Sequence, residues 1–378
     1  MAVEQLFVGL ASPTAERAGA GGHPCQGLYH RPAGRTPKIA LIATHYSVDF
    51  SEHYLADFVA ERGLGFLGWN TRFRGAESHF LLDHALVDIG QGVRWLREEA
   101  GVEQVVLLGN SGGGSLMAAY QSQAKEPNVT PLEGMRPARG VLDLPAGDAY
   151  ISTAAHLGRP EVLTAWMDPS VVDESDPVST DPALSLFDPG NPAPYSEEFL
   201  ARYREAQTRR NHRITRWVKD EMRRLRDAGS GDRLFNVHRT WADPRMVDAT
   251  IEPTRRPPNS CYAGEPARAN ASVFGIAGTC TLRTWLSLWS LEDSETRATP
   301  HLARIKEPAL VVNADMDTGV FPSDADAILQ ALGSEDKESH VIAGDHYFRR
   351  NGGGKDGRDA ARAELADLIV AWTTARLA

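Results

Sequence analysis

Short runs of consecutive apolar residues alternate with stretches of helical periodicity, and this alternation constrains the fold more than any other feature of the chain. The apolar runs occupy residues 38–44, 65–70, 105–110, 140–145, 308–314 and 339–344. Runs that lack polar alternation are typical of parallel strands buried on both faces. Between two of them, segment 84–101 places apolar residues at helical spacing along one face. We therefore predict an α/β protein with a mostly parallel central sheet flanked by helices.

The alternation stops between residues 148 and 302. Prolines interrupt this region, and a single long helix is predicted at about 196–228. That helix is basic, with ten lysines or arginines between 199 and 228 against four acidic residues. We therefore expect a core made of residues 1–147 and 303–378, and a mainly helical insertion of residues 148–302. Such an insertion would cover the carboxyl edge of the sheet as a cap.

A glycine-rich stretch, GNSGGGSL at 109–116, follows the apolar run at 105–110. It does not match a Walker phosphate-binding loop, because such a loop ends in a lysine and Lys125 comes too late. A dinucleotide-binding fingerprint would belong to the first strand–helix unit and would have a different spacing. Residues 109–113 instead match G-x-S-x-G between a strand and a helix, which predicts that Ser111 is an exposed nucleophile. A glycine-rich turn with an incidental serine is the alternative.

A serine becomes nucleophilic when a histidine removes its proton and a carboxylate orients that histidine. The first of the two late apolar runs is followed by Asp315 and Asp317, and the second is followed by His346. Together with Ser111 these residues give the chain order Ser, Asp, His, each placed after a predicted strand. We therefore predict a catalytic triad of Ser111, His346 and one of the two aspartates.

In this combination the chain resembles α/β-hydrolase-fold enzymes that carry a large cap domain. The resemblance covers residues 36–147 and 303–378 and leaves out the middle. In that family the acid loop reads a small residue, two spacers, an aspartate and soon a Val-Pro-like pair. Laid on VVNADMDTGVFP, this pattern selects Asp317 over Asp315 as the acid. The resemblance thus implies the α/β-hydrolase fold and a nucleophilic Ser111 that needs no cofactor.

One position departs from the family pattern. After an early strand the family often has His-Gly, and the amide that follows helps to form the oxyanion hole. Here the segment ATHYSVDF has Tyr46 in place of that glycine. The resemblance implies the Gly112 amide as the first oxyanion donor and either Tyr46 or Ser47 as the second. Whether the Tyr46 hydroxyl contacts the substrate, or the side chain is a buried aromatic without a role, stays open.

Composition argues against several classes of function. The formal charge of −10 does not favour nucleic-acid binding. The chain has no apolar run of membrane-spanning length and no secretory pattern at its N-terminus. Three distant cysteines, Cys25, Cys261 and Cys280, fit reduced thiols better than a disulfide framework. We expect a cytoplasmic protein without a metal site, whose partner is a small-molecule acyl substrate rather than nucleic acid or a membrane. A homodimer stays open.

These residues predict a serine hydrolase that cleaves a carboxylic ester or a related acyl bond, such as a thioester or a lactone. Trp217, Trp285 and Trp289 are candidates for an apolar acyl pocket, with ordinary packing as the alternative. The basic helix would attract anionic substrates, or would simply present a solvated face. Acyl transfer and C–C bond hydrolysis on the same triad are alternative activities. A ligand-binding receptor on the same fold is the alternative outside enzymes.

Overall fold

The structure is a computed structural model that describes residues 1–14, 24–350 and 354–378. Its strands are β1 Val3–Leu10, β2 Cys25–Pro32, β3 Ile39–Ala43, β4 Gly65–Asn70, β5 Gln104–Asn110, β6 Ala149–Thr153, β7 Leu234–Phe235, β8 Cys280–Thr281, β9 Ala309–Ala314 and β10 Lys337–Ile342. Its α-helices are α1 Ala56–Glu61, α2 Leu82–Glu98, α3 Gly113–Lys125, α4 Arg159–Trp166, α5 Glu197–Asp227, α6 Pro244–Val247, α7 Pro266–Asn270, α8 Leu282–Thr284, α9 Ala298–Leu302, α10 Pro322–Ala331 and α11 Gly354–Leu377. Single 3₁₀ turns lie at Glu77–His79 and Pro182–Leu184, and a π turn lies at Trp285–Trp289.

Eight of the strands formed by the described residues make one sheet with the order β1-β2-β4-β3-β5-β6-β9-β10. Strands β1 and β2 pair antiparallel, as do β2 and β4. From β4 to β10 every neighbouring pair in this sheet is parallel. The mostly parallel sheet predicted from the apolar runs is therefore confirmed.

Helices cover both faces of this sheet, as its apolar composition requires. On one face, α1 and α11 pack against β3, β5, β6 and β9 in the main hydrophobic cluster. Helices α2 and α3 lie on the other face. Gly92 of α2 comes so close to the sheet that a Cβ at this position would lie 2.9 Å from Ile42 Cδ1. The helix predicted within 84–101 is present as α2. Because the strands from β4 to β10 in this sheet are parallel, their carboxyl ends lie at the same edge of the sheet.

The strand predicted at 140–145 is wrong. That segment forms turns, in which Gly140 has a φ of +91° and Val141 packs against Val87. The strand beside β5 is instead β6, whose last two residues, Ser152 and Thr153, are polar but buried. Because of these polar residues, the segment of β6 is not a continuous apolar run, and the sequence pattern did not predict it as a strand.

The chain divides into two compact units. Unit 1 comprises Met1–Ala76, Leu82–Gly158 and Thr296–Ala378, and unit 2 comprises Glu77–Leu81 and Arg159–Glu295. The division expected at 148 and 302 differs from this one at both ends, because β6 belongs to the sheet of unit 1 and α9 packs on α3 and α10. Within unit 1, Gly158 and Arg297 form an antiparallel bridge. The covering role expected of the insertion stays a prediction.

Unit 2 is organised around its longest helix, α5, which matches the helix predicted at about 196–228. Ser196 caps this helix by accepting a hydrogen bond from the Phe199 amide (3.2 Å). Helix α4 packs on α5, and β7 and β8 form a small antiparallel pair.

All three cysteines are buried thiols outside any disulfide. Burial raises the pKa of the Cys25 and Cys280 thiols, so both stay protonated and chemically inert at neutral pH. As for the membrane, every helix within the described ranges is too short or too polar to span one.

Candidate active site

The turn between β5 and α3 holds Ser111 in a left-handed backbone conformation. Its φ is +56°, which is uncommon for a residue with a side chain. The Ser111 amide donates to the Thr153 carbonyl oxygen at the end of β6 (3.1 Å), and the Ser111 carbonyl accepts from the Gly114 amide (3.1 Å). A strained serine between a buried strand and a helix has the geometry of a nucleophile elbow. The structure therefore places Ser111 at the carboxyl end of an interior strand.

The glycines around Ser111 are required because main-chain segments pass too closely for a side chain. A Cβ on Gly113 would lie 2.3 Å from the Thr44 carbonyl oxygen, and one on Gly109 would lie 2.5 Å from the Gly114 Cα. Ordinary contacts of a Cβ begin at 3.4 Å. The G-x-S-x-G pattern thus follows from the close approach of β3, β5 and α3 at this turn.

The structure brings His346 and Asp317 together at the same edge of the sheet. His346 Nδ1 lies 2.6 Å from Asp317 Oδ2, and both residues are buried. The other carboxylate oxygen of Asp317 accepts from the amides of Gly319 (2.9 Å) and Val320 (3.0 Å). Because both oxygens are engaged, the carboxylate has one orientation, and it fixes the plane of the imidazole ring.

Asp315 has a different place from Asp317. Its Oδ1 accepts from the Gly344 amide (3.2 Å), and the next amide along, that of Met316, donates to the Gly344 carbonyl (2.9 Å). These two bonds join the loop after β9 to the loop after β10. Asp315 therefore ties together the loops that carry Asp317 and His346, while Asp317 is the aspartate that contacts the histidine.

His53 and Asn110 form a hydrogen-bond network at Ser111 that the sequence did not reveal. His53 Nδ1 accepts from the Leu55 amide (3.3 Å), so Nε2 carries the proton and donates to Asn110 Oδ1 (3.2 Å). Asn110 Nδ2 donates to the Thr153 carbonyl oxygen (2.9 Å), which also accepts from the Ser111 amide. The neutral imidazole thus fixes the residue before the serine. No spacing pattern marks His53, and the available signal was the position of Asn110 inside G-x-S-x-G.

Burial of His53 makes the stability of the fold depend on pH. Burial, aided by the positive charge of Arg362, lowers the pKa of His53 to about 3. The unfolded chain, with a histidine pKa of about 6.5, takes up a proton that the folded chain excludes. The contribution of neutral His53 to stability is therefore complete above pH 6.5 and is lost as the pH falls toward 3. At pH 5 the loss is about 2 kcal/mol.

We expect His53→Phe to remove this pH dependence. Phenylalanine preserves the stacking of the ring on Tyr54 and Phe66 but has no group that titrates. In urea unfolding, lowering the pH from 7 to 5 should reduce the free energy of unfolding of the wild type by about 2 kcal/mol more than that of His53→Phe. An unchanged difference between the two pH values would show that His53 titrates normally in the folded protein.

The predicted oxyanion residues lie on either side of the elbow. Gly112 is the N-cap of α3, whose first amides have no acceptor within the helix itself. Tyr46 is completely buried, and its hydroxyl is hydrogen bonded to Ser115 Oγ of α3 (2.8 Å). That bond engages the hydroxyl inside the protein and excludes it as a substrate contact in this structure. The Ser47 amide lies 3.5 Å from His45 Nδ1, which is a long contact.

His45 is a second residue that the sequence did not single out. A Cβ on Gly112 would lie 2.8 Å from His45 Nε2 and 3.2 Å from Tyr46 Cδ2. The loop after β3 therefore packs directly on the residue that follows Ser111. In the sequence, this loop is marked by the His-Tyr pair after β3, of which only Tyr46 was predicted to have a role.

The three candidate tryptophans differ in exposure. Trp285 and Trp289 are completely buried in unit 2, whereas Trp217 is 40% exposed. Trp285 Nε1 donates to Thr215 Oγ1 (2.9 Å), and the Trp289 ring lies 4.4 Å from the Arg159 guanidinium. These contacts agree with the packing alternative for Trp285 and Trp289, and the role of the three tryptophans in an acyl pocket stays a prediction.

The basic helix is not a uniform positive surface. Arg210 is completely buried and donates to the Glu174 carboxylate (2.6 and 2.9 Å) and to the carbonyls of Asp168 and His238. Arg213 shares the same Glu174, and Arg209 pairs with Glu205 on its own helix. The charge of Arg210 thus faces the interior of unit 2, and the attraction of anionic substrates by the basic helix stays a prediction.

No family model matches the chain, and no curated protein matches its sequence. Among solved structures it is similar to DcsB in complex with its substrate analogue, with a TM-score of 0.54 and 12% identity over 99% of both chains. It is also similar to the α/β hydrolase GrgF from Penicillium sp. sh18, with a TM-score of 0.52 and 11% identity over 99% of both chains. An esterase domain from a Rhodothermus marinus protein aligns over 100% of both chains with a TM-score of 0.48 and 11% identity. The sheet order, the elbow after β5 and the likeness to GrgF together show that this chain has the α/β-hydrolase fold.

Proposed function

We propose that this protein is a serine hydrolase that cleaves a carboxylic ester or a related acyl bond. The observation that carries the proposal is the hydrogen bond of 2.6 Å between His346 and Asp317. It lies in the same unit as Ser111, a serine with left-handed backbone geometry at a strand–helix turn. In serine hydrolases these three residue types serve as base, orienting acid and nucleophile.

The hydrogen bonds of Asp317 assign the tautomer of His346. Since Nδ1 faces a carboxylate oxygen that accepts a hydrogen bond, Nδ1 carries the proton and Nε2 presents a lone pair. Nε2 then accepts the hydroxyl proton of Ser111 as Oγ attacks the acyl carbon. The imidazolium that forms is stabilised by Asp317, and it returns its proton to the leaving oxygen when the tetrahedral intermediate collapses.

The oxyanion is held by main-chain amides at the start of α3 and in the loop after β3. The Gly112 amide follows the nucleophile directly and lies at the N-terminus of a thirteen-residue helix, whose dipole favours negative charge. As the second donor we propose the amide of Tyr46 rather than that of Ser47. The Tyr46 side chain anchors its loop to α3 through Ser115, so its amide is held in place before the reaction.

Release of the acyl group repeats the same proton transfers with water. His346 Nε2 removes a proton from water, the hydroxide adds to the acyl carbon, and the acid leaves from Ser111 Oγ. The ester, thioester and lactone classes all react by this route. The chemistry is complete with side chains and water.

Covalent labelling tests the proposal directly. A fluorophosphonate should modify the wild-type chain once, at Ser111, and should leave Ser111→Ala unmodified. His346→Gln should be labelled far more slowly, because the glutamine cannot take the serine proton. Labelling of Ser111→Ala at the wild-type rate would show that the nucleophile is another residue. A wild-type chain that is never labelled would refute Ser111 as the nucleophile and would favour a ligand-binding receptor.

A substrate panel then defines the acyl bond. p-Nitrophenyl esters of graded chain length, with lactones, thioesters and amides beside them, separate the classes by kcat/KM. An added alcohol that diverts the acyl group from water would reveal acyl transfer on the same triad. We expect turnover of esters and hydrolysis as the main outcome.

A further inference from the structure

A cavity of about 780 Å³ opens within unit 2, beside α5 and β7. Its lining comes from three segments: residues 172–175, the middle of α5, and residues 233–238. All of these residues belong to unit 2, whereas the proposed triad belongs to unit 1. A cavity of this size is in the range that small organic ligands occupy.

One wall of the cavity is apolar and partly exposed. Trp217 of α5 is 40% exposed, and its ring meets that of Phe235 edge to face at 5.1 Å. Ile214 lies one turn away on the same helix face, and Leu234 and Val172 present half or more of their surface to solvent. Apolar side chains that are exposed singly are common on protein surfaces, but a group of them around a cavity indicates a binding site.

The rest of the lining is polar, and the oxygens of its Glu174 carboxylate are already hydrogen bonded. Both oxygens of Glu174 receive guanidinium hydrogen bonds, from Arg210 and from Arg213. Burial alone would raise the pKa of Glu174, but these two arginines hold it below its usual value, so the carboxylate is ionised. One carboxylate is thus shared by two guanidinium groups. Arg213, which lines the cavity, uses Nη2 for its bonds to Glu174 Oε1 (2.9 Å) and to the Val171 carbonyl oxygen (3.0 Å). The N–H groups on its Nε and Nη1 are the donors that a ligand could meet.

The second cationic residue of the lining repeats this arrangement. Glu221 receives hydrogen bonds from both Arg224 and Arg233, so again one carboxylate serves two arginines. Arg233 lines the cavity, and its guanidinium lies 5.8 Å from the centre of the Trp217 ring. The remaining lining carboxylate, Asp173, is at the exposed rim and accepts from the amide and hydroxyl of Ser175. The cavity therefore has two guanidinium groups next to an aromatic wall, and each of them shares its carboxylate partner with a second arginine.

We propose that this cavity binds an amphipathic organic carboxylate. Its aromatic or branched apolar body lies on Trp217, Phe235 and Ile214, and its carboxylate accepts hydrogen bonds from Arg233 and Arg213. The guanidinium groups recognise a carboxylate because two parallel N–H donors match its two oxygens. This inference does not depend on Ser111 being a nucleophile.

The test is direct binding to the full-length chain by isothermal titration calorimetry, with two probes that differ only in charge. One probe is 2-naphthoate, and the other is the neutral 2-naphthamide. We expect 2-naphthoate to bind once per chain, more tightly than the amide, with an affinity that falls as salt is added. Arg233→Gln and Arg213→Gln should each weaken 2-naphthoate binding about tenfold or more and leave the amide nearly unchanged. Trp217→Leu should weaken both probes.

A matched control is Arg223→Gln, which removes the same charge from α5 at an exposed position outside the lining. It should bind both probes like the wild type. Ser111→Ala should also bind 2-naphthoate like the wild type, which separates this site from the proposed hydrolase site. Absence of 2-naphthoate binding, an equal effect of Arg223→Gln and Arg233→Gln, or loss of binding in Ser111→Ala would each overturn the proposal.

Discussion

Ser111→Ala should lower kcat toward an ester substrate by about a millionfold while the protein keeps its fold. The loss is this large because the hydroxyl is the only group that forms the acyl–enzyme bond, and the remaining machinery then has nothing to activate. Alanine also fits the site, because the left-handed turn is held by two main-chain hydrogen bonds that the substitution keeps. The amide of residue 111 donates to the Thr153 carbonyl, and its carbonyl accepts from the Gly114 amide. Thermal unfolding of the variant should show the wild-type transition within a few degrees.

The matched control for this variant is Ser122→Ala, which removes a hydroxyl from the same helix at the contact with Asn128. That variant should remain active. If Ser111→Ala kept a tenth of the wild-type rate, the nucleophile would have to be sought elsewhere in the chain.

Asp317→Asn should lower kcat by about ten thousandfold. The asparagine would present its amide group or its carbonyl to His346 Nδ1 and would no longer favour the tautomer with the proton on that nitrogen. The measurement is kcat on a p-nitrophenyl ester at a pH where the wild type is fully active. The fold should survive, because the amides of Gly319 and Val320 can still donate to the remaining oxygen.

Asp315→Asn is the control two residues away, with the same change of charge and size. Asp315 accepts a main-chain hydrogen bond from the Gly344 amide, and an asparagine oxygen can accept the same bond. We therefore expect a small loss, of less than tenfold. Should Asp315→Asn be the more damaging substitution, the acid of the triad would be misassigned.

Many strands of unit 1 and its candidate site residues could be predicted because each is marked by residues that are close together in the sequence. Strands buried on both faces leave uninterrupted apolar runs, and the elbow needs its glycines within a few residues of Ser111. The order of Ser111, Asp317 and His346 also follows from the order of the strands they terminate. The strand β6 was not predicted because its last two residues, Ser152 and Thr153, are polar although they are buried, so the segment is not a continuous apolar run.

Unit 2 could not be predicted to the same extent because charged residues form part of its interior. From the sequence, Arg210 is expected on the surface of a basic helix. In the structure it is completely buried and hydrogen bonded to Glu174, which lies 36 residues earlier. Such a pair depends on a contact between distant segments, and no periodicity reports it. The same is true of His53 and Asn110, which lie 57 residues apart.

The bridge between Gly158 and Arg297 has a consequence for how such a chain can diversify. It closes the base of a segment that runs from Arg159 to Glu295, so both ends of that segment leave the sheet side by side. Insertions whose ends are adjacent place few geometric demands on their host, since loop closure costs little more as length grows. Related chains could therefore exchange, shorten or elaborate the inserted segment while the strand order and the elbow stay intact.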